Sequence, residues 1–92
     1  MLYVCHWRAR PDTRDAIIQR FAKSGGQPPQ GVKMLGRWHH VANGSGISVS
    51  EADDPSAIAR WALEWNDLLD MEVYPALTDD QLGAVLMSLQ SK

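Results

Sequence analysis

Three histidines, one cysteine and a scatter of carboxylates are the side chains in this 92-residue sequence best suited to move protons, attack a carbonyl or hold a metal. His39 and His40 are adjacent. Neighbouring residues of a strand point to opposite faces, so a regular strand cannot offer both to one ion. No Cys-x-x-Cys or Cys/His cluster supplies further ligands. The sequence therefore predicts no metal site and no cofactor. Cys5 stands alone, which excludes an intrachain disulfide, and its surroundings read as those of an inert buried thiol.

His6 is placed differently. It falls in the middle of an apolar run that reads as a central strand, beside a strand carrying Glu72. If the two share a face, they form a base and its orienting carboxylate. The alternative is a packed histidine with one hydrogen bond. Ser48, Ser50, Glu72 and Tyr74 complete the candidate set. With His6 they are the side chains expected on an open sheet face, where they either orient a small polar ligand in an otherwise apolar cavity or hydrogen-bond across a dimer interface.

The elements that must position these residues follow from periodicity and punctuation. Leu2 to Arg8 is rich in strand formers and reads as strand one. Pro11 ends it, and Asp12 or Thr13 is placed to cap a helix running to Ser24, with Ile17, Ile18, Phe21 and Ala22 on one face. Gly25-Gly26 stops that helix. Strand two follows from Val32 to about His40, then a turn containing Asn43-Gly44, a strong hairpin signal. Strand three, Ile47 to Glu51, alternates cleanly: Ile47 and Val49 on one face, Ser48 and Ser50 on the other. Asp54-Pro55 opens a second helix to about Asn66, with Ile58, Trp61, Ala62 and Trp65 as its apolar stripe. Strand four spans about Leu69 to Ala76. Thr78-Asp79-Asp80-Gln81 is a capping box before a third helix carrying Leu82, Val85, Leu86 and Leu89.

The order β-α-β-β-α-β plus a final helix is the split-βαβ arrangement. Right-handed crossovers put the first two helices on one face of an antiparallel sheet of order 4-1-3-2. This is an α+β, ferredoxin-like fold in a single domain of residues 1–92. Apolar Ile47 and Val49 are expected beneath the helices, with Met71 and Val73. Ser48 and Ser50 are expected on the open face with Glu72 and Tyr74. Strand one is apolar on both parities, so the open face calls for a cover. The two candidates are a second copy of the chain and the third helix.

Most of the chain is similar to a known family. The stretches that carry the similarity are Met1-Leu2-Tyr3-Val4, Gly31-Val32 through Trp38, Glu51-Ala52-Asp53-Asp54 and above all Trp61-Ala62-Leu63-Glu64-Trp65-Asn66-Asp67-Leu68, followed by Glu72-Val73 and Pro75. In these the chain resembles the bacterial family known as domain of unknown function 3303. The resemblance implies a dimeric α/β barrel, in which two sheets face one another around a small cavity. Its wider group includes cofactor-independent monooxygenases, haem-degrading enzymes and stress-responsive proteins. The family brings no activity, so no catalytic residue is carried over.

Several classes are disfavoured. The net charge of −2 lacks the basic excess of a nucleic-acid binder, and strand three has no stacking aromatics for RNA. No run approaches the ~20 apolar residues of a membrane span. The start does not read as a signal peptide, which leaves a cytoplasmic location as the expectation. Three readings stay open: a homodimer that binds a small molecule between its sheets, a cofactor-independent oxygenase-like enzyme with His6, Ser48, Glu72 and Tyr74 in one cavity, and an interaction domain without a pocket.

Overall fold

The computed structural model describes residues 1–90. Its order is β1 (Leu2–Ala9), a 3-10 turn (Pro11–Thr13), α1 (Arg14–Ser24), β2 (Val32–His39), β3 (Gly46–Ala52), α2 (Pro55–Leu63), β4 (Leu69–Ala76) and α3 (Asp79–Gln90). The strands form one antiparallel sheet of order β2-β3-β1-β4. This is the expected ferredoxin-like α+β topology: each crossover skips one strand, so β1 and β3 are central.

The local chemistry explains the boundaries. Asp54 caps α2 by accepting from Ser56 N at 2.9 Å, with Pro55 at the first helical position. Thr78 and Gln81 close a reciprocal capping box at the start of α3, at 2.8 and 3.2 Å. Gly25 ends α1 in the left-handed conformation (φ 70°), its N–H returning to the Phe21 carbonyl. Thr13 sits at the head of α1 without capping it. Its hydroxyl donates instead to the Leu68 carbonyl at 2.8 Å, with the Arg10 carbonyl sharing the proton at 3.1 Å. α2 ends at Leu63 rather than Asn66, and the chain continues in turns that still carry Trp65 inward, 8% exposed.

The tightest packing joins Tyr3, Ala52 and Ile58, with Val32 and Val73 against them. α1 contributes no buried residue: Ile18 keeps 54% of its surface and Phe21 36%. That helix stands off the sheet and is held partly by polar ties. Arg20 forks onto Asp67 at 2.8 and 2.9 Å, bonds the Glu64 carbonyl and lies over the Trp65 ring.

α3 does not cover the sheet of its own chain. Leu82, Val85, Leu86 and Leu89 are all about half exposed, at 46–56%. The radius of gyration of 15.7 Å exceeds the roughly 12 Å of a compact chain of this length. The reading in which α3 folds back to make a pocketless monomer is overturned.

The face assignment of β3 is also corrected. Ile47 and Val49 do not lie beneath the helices; Ser48 and Ser50 do, each 3% exposed. Alternation in a strand says which residues share a face, not which face it is. The helix side of β3 reads Gly46, Ser48, Ser50, Ala52: small side chains that leave room under the two helices.

Candidate functional site

That room is a cavity of about 350 Å³ between the helix layer and the sheet, within the size range of small-molecule sites. Its floor is built in rows by the strand registers. One row runs Arg37, Ser48, Cys5, Val73 across all four strands; the next runs His39, Gly46, Trp7, Met71. Tyr3 and Ser50 are opposed in the adjoining row. The roof is apolar, with Ile17, Ile18 and Phe21 from α1 and Ile58, Trp61 and Trp65 from α2 and the turn after it.

The hairpin fixes one end. Trp7 Nε1 donates to the Gly44 carbonyl at 3.1 Å, and Ser45 Oγ accepts from Ala9 N at 2.9 Å. The Trp7 ring then lies over Gly46, where a Cβ would collide with Trp7 Cζ2 and the Trp38 carbonyl. His39 stands edge-on to both Trp7 and Phe21, with ring centroids 5.7 and 5.6 Å apart. It is a rim residue held by aromatic neighbours. Among the described residues no three of His, Cys, Asp and Glu come together as a metal site would require.

The polar groups of the cavity are few and lie on one side. Ser50 Oγ is buried with no hydrogen-bond partner. Ser48 hydrogen-bonds with Cys5, whose thiol is pushed above its ordinary pKa, chiefly by burial, with the Ser48 bond pulling partly back. Arg37 reaches from β2 to the C-terminal end of α1, donating to the Gly26 carbonyl at 2.7 Å and the Gly25 carbonyl at 3.1 Å. Its guanidinium lies 5.1 Å from the Phe21 ring centroid, and burial lowers its pKa. Strand two, like strand one, is apolar on both parities, so its sequence alone does not bring Arg37 and His39 to this face. The signal was the row of small residues in β3, which implies space on that face.

The five expected site residues divide between two faces. Ser48 and Ser50 floor the cavity. His6, Glu72 and Tyr74 lie on the opposite, open face: His6 is the register partner of Glu72, and Val4 that of Tyr74. Tyr74 Oη donates to Glu72 Oε2 at 2.9 Å, and this bond raises the Tyr74 pKa. No hydrogen bond joins His6 to Glu72. An oxygenase cavity holding His6, Ser48, Glu72 and Tyr74 together has no counterpart within the chain, because the sheet itself separates Ser48 from the other three.

Two rows of the open face combine apolar residues toward β2 and β3 with these polar groups toward β4. Trp38, Ile47, His6 and Glu72 form one, and Gly36, Val49, Val4 and Tyr74 another. Trp38 is 59% exposed and Tyr74 52%. No helix among the described residues is long and apolar enough to cross a membrane.

Comparison with known proteins places the chain in a family. The family model described as domain of unknown function (DUF3303) matches residues 1–90, and the chain belongs to that family. A solved structure of Rv0793 from Mycobacterium tuberculosis is similar, with a TM-score of 0.48 and 12% identity over 85% of this chain and 95% of that one. No match was found among curated proteins.

Proposed function

We propose that this protein is a small-molecule-binding domain whose site is the cavity between helix layer and sheet. The observation that carries this reading is the cavity of about 350 Å³ above a floor of Gly46, Ser48 and Ser50. A chain this short has little core to give up, and larger residues on the floor would close the space at a gain in packing. The arrangement suits holding a ligand rather than transforming one. Cys5 is held in its thiol form, the rim histidine has no carboxylate orienting it, and no general acid faces a nucleophile.

The test is titration of the isotopically labelled protein with a neutral aromatic probe, 2-naphthalenemethanol, followed by amide and indole NMR shifts. The expected result is shifts at Cys5, Ser48 and Ser50 and at the indoles of Trp7, Trp61 and Trp65, with His6, Glu72 and Tyr74 unmoved. Shifts confined to the open face, or none, would overturn the reading.

The open face supports a second element: association of two copies, sheet against sheet. Exposed Trp38 with its register partner Ile47, and Val49 with its partner Val4 in the adjoining row, make an apolar strip across three strands. Such strips mark interaction surfaces. The exposed stripe of α3 adds apolar surface for the same purpose.

A further inference from the structure

We propose that the cavity selects amphiphilic ligands with one carboxylate: an aromatic or alicyclic body against α2 and β4, and the carboxylate toward Arg37 and Ser50 on the β2–β3 side. This rests on the cavity being a ligand site and adds the class of ligand.

The division of the lining carries the inference. On the α2 and β4 side stand Ile58, Trp61, Trp65, Met71 and Val73, without a charge among them. On the β2–β3 side stand Arg37, His39, Ser48 and Ser50. A ligand that is apolar throughout would leave the second group unanswered, and a wholly polar one would waste the first.

Arg37 is the anchor. Arg10 and Arg20 each have a carboxylate partner, Asp70 and Asp67 respectively. Among the described residues Arg37 has none; it bonds only the two glycine carbonyls. A guanidinium has five N–H donors in a fixed fork, and those bonds take two. They hold the fork in place while leaving donors free, so an arriving carboxylate meets a preset geometry. Burial already disfavours the charged form of Arg37, and an anion beside it would relieve that cost. Ser50 supplies an independent sign: a hydroxyl 3% exposed in its residue, with no partner, on the cavity floor. A buried polar group of this kind is normally satisfied, and a ligand acceptor would satisfy it.

The experiment compares 2-naphthoate with its neutral counterpart 2-naphthalenemethanol by isothermal titration, on the wild type, Arg37→Gln and Ser50→Ala. The wild type is expected to bind the naphthoate about tenfold or more tightly than the alcohol, the scale of a charge-assisted hydrogen bond. Arg37→Gln should abolish that preference while still binding the alcohol, which also reports that its cavity is intact. Ser50→Ala should reduce the preference severalfold. Equal affinities in the wild type, or a preference surviving in a folded Arg37→Gln, would overturn the ligand class and leave the cavity reading standing. Failure of both probes to bind the wild type would overturn both. Should Arg37→Gln lose alcohol binding through loss of fold, the wild-type comparison decides alone.

Discussion

Cys5 and Ser48 stand opposite one another across the β1–β3 pairing, on the floor of the cavity, with their side chains hydrogen-bonded. Burial is the larger influence on the thiol and raises its pKa, so at neutral pH the thiolate fraction is below that of a free cysteine. Since the thiolate is the nucleophile, modification by a disulfide reagent should run slower than with a free thiol, and accelerate as pH rises toward the raised pKa. A ligand in the cavity should slow it further. Rapid reaction at neutral pH, unaffected by 2-naphthoate at saturating concentration, would show that Cys5 is reached by some route other than the cavity.

Gly46 holds open the other end of the floor. Its missing Cβ is what lets the Trp7 indole cross β3, and the obstacles to a side chain there include the Trp38 carbonyl, which is backbone. Backbone has little freedom to give way where β2 is paired with β3. Gly46→Ala should therefore destabilise the fold by about 1–3 kcal/mol, as overpacking does, with a lower urea midpoint and an unchanged slope. The indole N–H of Trp7 should lose protection from exchange as its bond to the Gly44 carbonyl is strained. An unaltered midpoint would mean that the Trp7 ring can move aside without cost.

The turn chemistry made most of this fold legible in the sequence. Asp54-Pro55, Gly25 and Thr78 through Gln81 sit where their capping logic places them. The error in β3 had a specific cause. Apolar residues usually face the helices, and that rule puts Ile47 and Val49 on the inner face. Here a cavity lies inside and an apolar strip outside, so the usual sign of the alternation is reversed. Gly46, Ser48, Ser50 and Ala52 in succession carried the information, since small residues under large helices imply space. Arg37 was hidden for another reason: pairing in β2 shifts between Met34 and Gly36, and such an irregularity disrupts the two-residue parity on which orientation depends.

Arg20 and Asp67 tie the roof together, and they give the fold a predictable response to acid. The hydrogen bond from Arg20 holds the Asp67 carboxyl below its ordinary pKa. A carboxylate depressed on folding contributes its stability fully above the unfolded pKa and loses it as pH falls through the folded one. Thermal midpoints of the wild type and Asp67→Asn should therefore differ most near neutral pH and converge as pH falls below the ordinary carboxylate range. The pair is solvent-exposed, so added salt should narrow the gap. A difference that widens toward acid would have the wrong sign for this pair.

Trp38 and Ile47 are register partners on the open face, and they are where association of two copies would be felt first. Sedimentation at tens of micromolar should find a dimer. Ile47→Lys, and separately Trp38→Lys, should each place an unpaired charge in the apolar strip and shift the chain to monomer, while the far-ultraviolet spectrum stays unchanged because neither side chain supports the helix layer. Truncation after Thr78 separates the roles of sheet and helix. α3 leaves no buried residue behind, so the shortened chain should fold, with the same secondary structure over residues 1–76 and weaker association. Loss of folding on truncation would show that α3 stabilises its own chain after all. A wild-type chain that sediments as a monomer across that concentration range would remove the dimer and leave the apolar strip to a different partner.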